Sequence, residues 1–188
     1  MKAVRRDEIM DLAVYEGSRA EIRAGVLEAK RRRRVHVAGV LTFLFENAAT
    51  VRYQIHEMIR AERITREADV LHEVETYNEL LGGRGELGCS LLIEIPDAAE
   101  RDRRLRAWLD LPGHLYVKLE DGSKVRPSFD PRQVGEDRLS SVQYLKFDVR
   151  GKVPVAVGSD LPALVGETAL DAEQRAALSA DLASDSAP

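Results

Sequence analysis

The residues best placed for chemistry lie around one stretch, NAATVRYQIHEMIRAER, residues 47–63, with Glu46 immediately before it. The stretch contains Gln54, His56, Glu57, Arg60 and Glu62. On a helix advancing ~100° per residue from Val51, the residues Ile55, Met58 and Ile59 fall at ~40°, ~340° and ~80°. Glu62 falls at ~20°, inside this apolar arc, while Gln54 sits at its edge near ~300° and Glu57 further out near ~240°. A carboxylate within an apolar face needs a partner or takes up a proton, because desolvation penalises its charge. Three readings of Glu62 follow. The helix stops before it and Glu62 turns to solvent; it forms a buried pair with an arginine, Arg19 on the first helix being the preferred partner; or it serves a ligand or a reaction. Glu46, Glu57 and Glu62 together are the carboxylate cluster from which an enzyme or metal site would be built.

The other motifs are incomplete. HEMIR begins like the HExxH of zinc peptidases, but Arg60 stands where the second histidine is required. His56 falls near ~140° on the same wheel, away from the apolar arc, and reads as a surface residue. His72 reads the same way, opposite Leu71, Val74, Tyr77 and Leu81. A di-iron carboxylate site uses Glu-x-x-His motifs on facing helices, and the chain has none. No metal and no cofactor are expected. The single cysteine, Cys89, lies in an apolar run and is expected to be a buried, inert thiol. Gly82-Gly83-Arg84-Gly85 precedes a strand, so it does not cradle a phosphate at a helix N-terminus. Lys30, Arg31, Arg32, Arg33 and Arg34 form a basic run with two readings: a solvated helix end that complements the helix dipole, or a grip on nucleic-acid phosphates.

The elements that must position these residues follow from periodicity and punctuation. Tyr15, Ile22, Val26 and Ala29 share a face of a helix over residues 7–33. Short β-runs follow at 35–37 and 41–46. Asn47 caps a helix over 48–63, and Thr65 caps another over 66–81, stopped by Gly82 and Gly83. Residues 87–95 read as a central strand ended by Pro96. Asp97 and Glu100 have capping-box spacing, and the helix they open turns Leu105, Trp108 and Leu109 inward. Runs at 115–120 and 123–129 flank Asp121-Gly122, a hairpin signal, and strands are expected at 142–149 and 153–157. The fold class expected is α+β: one domain over 1–158, with a long N-terminal helix and an antiparallel or mixed sheet carrying helices on one face. Residues 159–170 read as a linker, 171–182 as a weak helix, and the ASDSAP end as disordered, so that 159–188 lies outside the domain.

Composition sets the outer bounds. The chain has 188 residues, 44% hydrophobic and 32% charged, with a formal net charge of −4. This describes a folded protein with a heavily charged surface, and the acidic balance argues against general nucleic-acid binding. No window approaches the ~18 apolar residues of a membrane span. With no signal-peptide pattern at the N-terminus and no cysteine pair, the expected compartment is the cytoplasm.

Several stretches carry a family resemblance: Tyr15-Glu16 and Arg19, KRRRRVHVAG, LFEN, TVRYQIHEMIRAERI, YNELL, LLIEIPDAAER and SSVQYLKF, in that order. Over about residues 5–150 the chain resembles bacterial domain-of-unknown-function family 3501. The resemblance transfers no activity. It implies a cytoplasmic accessory role in redox or peroxide defence, because genes of the family often lie beside those for a rubrerythrin-like protein and an iron–sulfur oxidoreductase. Members tend to end in an Asp-His-Pro-like run, whereas Ser159-Asp160-Leu161-Pro162 lacks the histidine. The leading expectation is therefore a non-enzymatic accessory protein that meets such a partner through Gln54, Glu57 and Arg60. The alternatives are a carboxylate-based enzyme or metal-binding protein, and a nucleic-acid binder acting through Lys30 to Arg34.

Overall fold

A computed structural model describes residues 3–184. The chain runs through α1 (Leu12–Arg31), β1 (Arg34–Val37), β2 (Leu41–Phe45), α2 (Ala48–Glu62), α3 (Glu67–Asn78) and β3 (Glu86–Ile93). It continues through α4 (Ala98–Ala107), α5 (Leu111–His114), β4 (Leu115–Lys118), β5 (Lys124–Val125), β6 (Val142–Asp148), β7 (Ala156–Leu161), β8 (Leu164–Ala169) and α6 (Ala172–Ala183). The class is α+β, and the long helix near the N-terminus is present. Among the described residues, no helix is long and apolar enough to cross a membrane.

Local chemistry sets several boundaries. Asn47 Oδ1 accepts from the Thr50 backbone N–H while Thr50 Oγ1 accepts from the Asn47 N–H, so α2 starts in a reciprocal cap. Asp97 caps α4 through the Glu100 N–H. The Glu100 carboxylate does not return the bond, because Arg103 and Arg104 hold it. Thr65 does not cap α3: the N-cap is Arg66, with no side-chain bond. The Asp121-Gly122 turn joins β4 to β5, and Gly122 takes the positive φ of 81° that such a turn needs.

The strands divide into two four-stranded sheets, β1-β2-β3-β6 and β5-β4-β7-β8, in which every neighbouring pair is antiparallel. In the first sheet Phe45, Cys89 and Leu145 form one row, and Phe43 and Leu91 belong to the next. These side chains share the main core with Val117 and Val157 of the second sheet, Leu105 of α4, and Leu178 and Leu182 of α6. On the opposite face of the first sheet lies the row Leu44, Ser90 and Tyr144. A second core, built from Val51, Ile55 and Ile59 of α2 and Val70 and Val74 of α3, forms beside it.

Residues 159–170 are not a linker. They form the end of β7 and all of β8, paired from Ala156↔Ala169 to Leu161↔Leu164. Gly158, Ser159, Asp160 and Pro162 read as loop chemistry because their β-propensity is low. Pairing of β7 with β4 overrides that preference. At Gly158 a Cβ would meet the Tyr116 ring at 2.6 Å, so this glycine is a packing residue. The helix expected at 171–182 is present as α6, and its Leu178 and Leu182 lie in the main core, so the C-terminal segment belongs to the domain. Of the ASDSAP end expected to be disordered, Ala183 closes α6 and Ser184 caps it, its hydroxyl donating to the Asp181 carbonyl; residues 185–188 lie outside the described residues.

Gly88 marks a close approach between β3 and the turn that follows the end of α3. A Cβ there would stand 1.9 Å from the Leu80 carbonyl oxygen and 2.9 Å from the Gly82 nitrogen. Gly88→Ala is expected to cost about 3 kcal/mol by forcing the end of α3 off β3, and to lower the Tm by roughly 6–12 °C. An unchanged melting curve would show that the contact is not held in solution.

Candidate functional site

The sequence-predicted site residues do not converge. Glu57 faces α1, where it accepts from Tyr15 Oη at 2.6 Å and from Arg19 Nε and Nη2 at 2.8 and 2.7 Å. The Arg19 guanidinium foremost, with the Tyr15 hydroxyl helping, holds the Glu57 carboxyl down at about 2. Arg60 lies 2.9 Å from Glu16 Oε1, a second tie between the same helices. Gln54 is half-buried and takes no part in these bonds. Glu57 and Arg60, expected to meet a partner, are instead committed to docking α1.

His56 is 3% exposed, which overturns its reading as a surface residue. Its ring stacks on Tyr15, with centroids 4.5 Å apart and planes at 11°. Nε2 accepts from the Met10 backbone N–H at 3.0 Å, so the proton sits on Nδ1, which donates to the Arg52 carbonyl at 2.9 Å. Burial lowers the His56 pKa and keeps the ring neutral. The wheel assumed one buried face, but α2 is covered on a second flank by α1 and the residues before it. His72 is exposed, as expected.

Glu46 is 1% exposed and lies at the sheet end of α2. Its two oxygens accept from Thr50 Oγ1 at 2.5 Å and Ser90 Oγ at 2.7 Å. Next to Ser90, burial and then the Glu46 charge push the Cys89 thiol well above its ordinary pKa. The cysteine is free, buried and unreactive. Among the described residues, no group of three or more His, Cys, Asp or Glu side chains is arranged to hold a metal ion.

The basic run is mostly structural. Arg33 pairs with Asp181 of α6 through Nε at 2.7 Å and Nη2 at 2.9 Å, with side chains 10% and 8% exposed. Arg31 bonds Glu28 and Glu173, and Arg32 bonds Glu28. Lys30 Nζ stands 5.7 Å from the Tyr53 ring centre. Of the run, Arg34 is left as an exposed cation outside these contacts.

Glu62 is not buried, and Arg19 is not its partner. It is the last residue of α2, followed by Arg63 in the left-handed region at φ 53°, and the helix end turns it outward. There it joins a groove of about 800 Å³ between α2, α3, β6 and the loop 128–133. Met58 and Glu62 come from α2; Glu73, Thr76 and Tyr77 come from α3. Phe129, Asp130 and Gln133 form the loop wall, and Tyr144 and Lys146 the sheet wall. Burial, then the Glu73 carboxylate, Tyr144 and Glu62, raise the Tyr77 phenol pKa above its ordinary value. No sequence spacing joins these three walls. The one legible hint is Tyr144, which alternates with the core residues Leu145 and Phe147.

Asp160, left without an adjacent histidine in the sequence, receives one from α5. It accepts from His114 Nδ1 at 3.1 Å, Lys124 Nζ at 3.3 Å and Arg126 Nη2 at 2.6 Å. Arg126 above all holds this carboxyl far below the usual range. The arrangement is an ion-pair cluster at the side of the second sheet.

The fold is shared with a solved structure. The protein, described as a novel protein of unknown function from Burkholderia pseudomallei K96243, is 26% identical, with a TM-score of 0.88 over 96% of this chain and 100% of that one. The chain belongs to the family described as "Protein of unknown function (DUF3501)", which matches residues 3–182. No curated protein matches it.

Two predictions follow from these geometries. Arg33→Gln strands Asp181 and is expected to cost about 3–5 kcal/mol, whereas Arg32→Gln stays within roughly 0.5 kcal/mol. Equal melting temperatures for the two variants would contradict the buried pair. The second concerns acid. The neutral His56 is stabilising above its unfolded pKa of about 6.5, and that contribution falls as pH drops below it. The Glu57 contribution is full above about 4.5 and is lost as pH falls towards 2. Denaturant melts from pH 8 to 3 are therefore expected to show two successive losses. Glu57→Gln should remove the lower one and cost about 1–3 kcal/mol at neutral pH, and a pH-independent variant difference would count against the assignment.

Proposed function

We propose that this chain is a cytoplasmic binding protein, an accessory component that seats its partner in the groove between α2, α3 and β6. The observation that carries the reading is the groove itself. Its volume of about 800 Å³ lies within the range of roughly 300–1,000 Å³ common for binding sites, and it combines Met58, Tyr77, Phe129 and Tyr144 with polar groups at the rim. Aromatic side chains with one apolar and one polar end are the residues that most often anchor an interface. The surface first expected to bind, Gln54 with Glu57 and Arg60, is the flank that holds α1. Binding accordingly moves round α2 to the side of Glu62.

The family resemblance supplies the partner class: an iron–sulfur oxidoreductase or a rubrerythrin-like protein of a redox or peroxide-defence system. The test is direct binding of purified, reconstituted candidates to immobilised wild-type chain and to Tyr144→Ala. Tyr144 is 42% exposed, so its truncation leaves the core intact. Binding by one candidate, weakened on the order of tenfold or more in the variant, is expected. Undiminished binding to Tyr144→Ala would place the interface elsewhere. No binding by either candidate would remove the redox assignment.

A further inference from the structure

We propose that the groove receives a segment of the partner protein that presents lysine or arginine beside an aromatic or aliphatic side chain. This rests on the binding role assigned to the groove and specifies its occupant. The groove differs in charge from the rest of the surface. Glu57, Glu67, Glu100, Asp160 and Asp181 are each paired with arginine. Among the described residues, the carboxylates of Glu62, Glu73 and Glu79, which line the groove, enter no side-chain hydrogen bond or close ion pair, although the Arg132 charge bears on Glu79. Asp130 also lines the groove but is paired with Arg132, and Lys146 is the one ammonium of the lining, so three glutamates keep the lining negative.

These charges surround an apolar surface. Met58, Phe129 and Tyr144 give it an apolar and aromatic floor. Two groove carboxylates, Glu73 and Glu62, both bear on the half-buried Tyr77 phenol, so the negative field points inward at an aromatic ring. A guanidinium or ammonium on an aliphatic stem satisfies both halves, lying against aromatic faces while its head meets carboxylate. An anionic segment would be repelled, and a purely apolar one would strip water from the carboxylates without replacing it.

The outer edge of β6 is already occupied: Gln133 bonds both the N–H and the carbonyl of Tyr144, and Ser128 pairs with Lys146. A partner cannot add as a strand there, so recognition runs through side chains.

The test is selection from a displayed library of random dodecapeptides on the full chain, followed by fluorescence anisotropy with the enriched peptides. Enriched sequences should pair Lys or Arg with aromatic or aliphatic residues. Their affinity should fall with added salt and weaken on the order of tenfold in Glu62→Lys/Glu73→Lys, yet hold in Glu75→Lys, an exposed site outside the groove. Circular dichroism confirms that the variants fold. Acidic or uncharged peptides that lose binding only in Tyr144→Ala overturn the cationic assignment and leave the groove reading standing. Peptides indifferent to both groove variants, or no enrichment at all, overturn both. Displacement by an equal concentration of free spermidine would show a small-cation site and overturn the assignment to a protein segment.

Discussion

The Glu57 carboxylate settles how the helical layer is assembled. It accepts three charge-assisted or hydroxyl bonds from a single turn of α1, and the bidentate Arg19 fork fixes the angle as well as the distance. With α1 in place, the Tyr15 ring lies flat on His56, and the Met10 N–H finds its acceptor in the same imidazole. The segment before α1 is then tied to α3 by Asn78, which bonds both backbone groups of Val4, and by the Arg6–Glu67 pair. One flank of α2 is thereby consumed by its own chain. The flank carrying Met58 and Glu62 is what remains to line a groove.

The charges of this chain are disposed in distinct ways that depend on depth. At the deepest point, Glu46 is matched by two hydroxyls, which supply hydrogen bonds without a long side chain to order. One layer out, Arg33 and Asp181 form a nearly buried fork, and Asn47 Nδ2 adds a bond to the same Asp181 oxygen at 3.2 Å. That cluster stitches the C-terminal helix to the end of α1 and the cap of α2. Since either charge alone would be strongly disfavoured there, the pair specifies how α6 docks even if its net contribution to stability is small. At the surface, Arg31, Arg32, Arg103, Arg104 and Arg106 pair with carboxylates one turn away, each pair contributing little on its own.

What could be read in the sequence was local. The Asn47 and Asp97 caps, the Asp121-Gly122 turn and the span of α2 depend on a few adjacent residues, and the structure keeps them. What could not be read depended on partners remote in sequence. The wheel ranked Glu62 above Glu57 because it knew a single apolar face; it had no means of knowing that α1 would cover the side of His56 and Glu57. Arg33 looked like its neighbours in a run of cations until α6, almost at the other end of the chain, brought Asp181 to it. The strands β7 and β8 carry glycine, serine and aspartate around a turn containing Pro162, and only the pairing of β7 with β4 and with β8 reveals them. Every groove wall likewise comes from a separate stretch, so no motif announced the site.

The groove itself follows from edge protection. In the first sheet β6 is an edge strand, and an edge with free N–H and C=O groups invites pairing with other chains. The loop 128–133 covers it economically: Ser128 pairs with Lys146, and the Gln133 amide imitates a passing strand at Tyr144. Anchored by these bonds and by Phe129 packed against the main core, the loop walls one side of the groove, and α2 and α3 close the opposite side. The concavity is thus produced by residues with structural duties, while Glu62, Glu73 and Glu79 have none that the fold requires. Unpaired carboxylates gathered beside aromatic rings are disfavoured by their mutual repulsion, and a cationic partner side chain would relieve that repulsion on arrival.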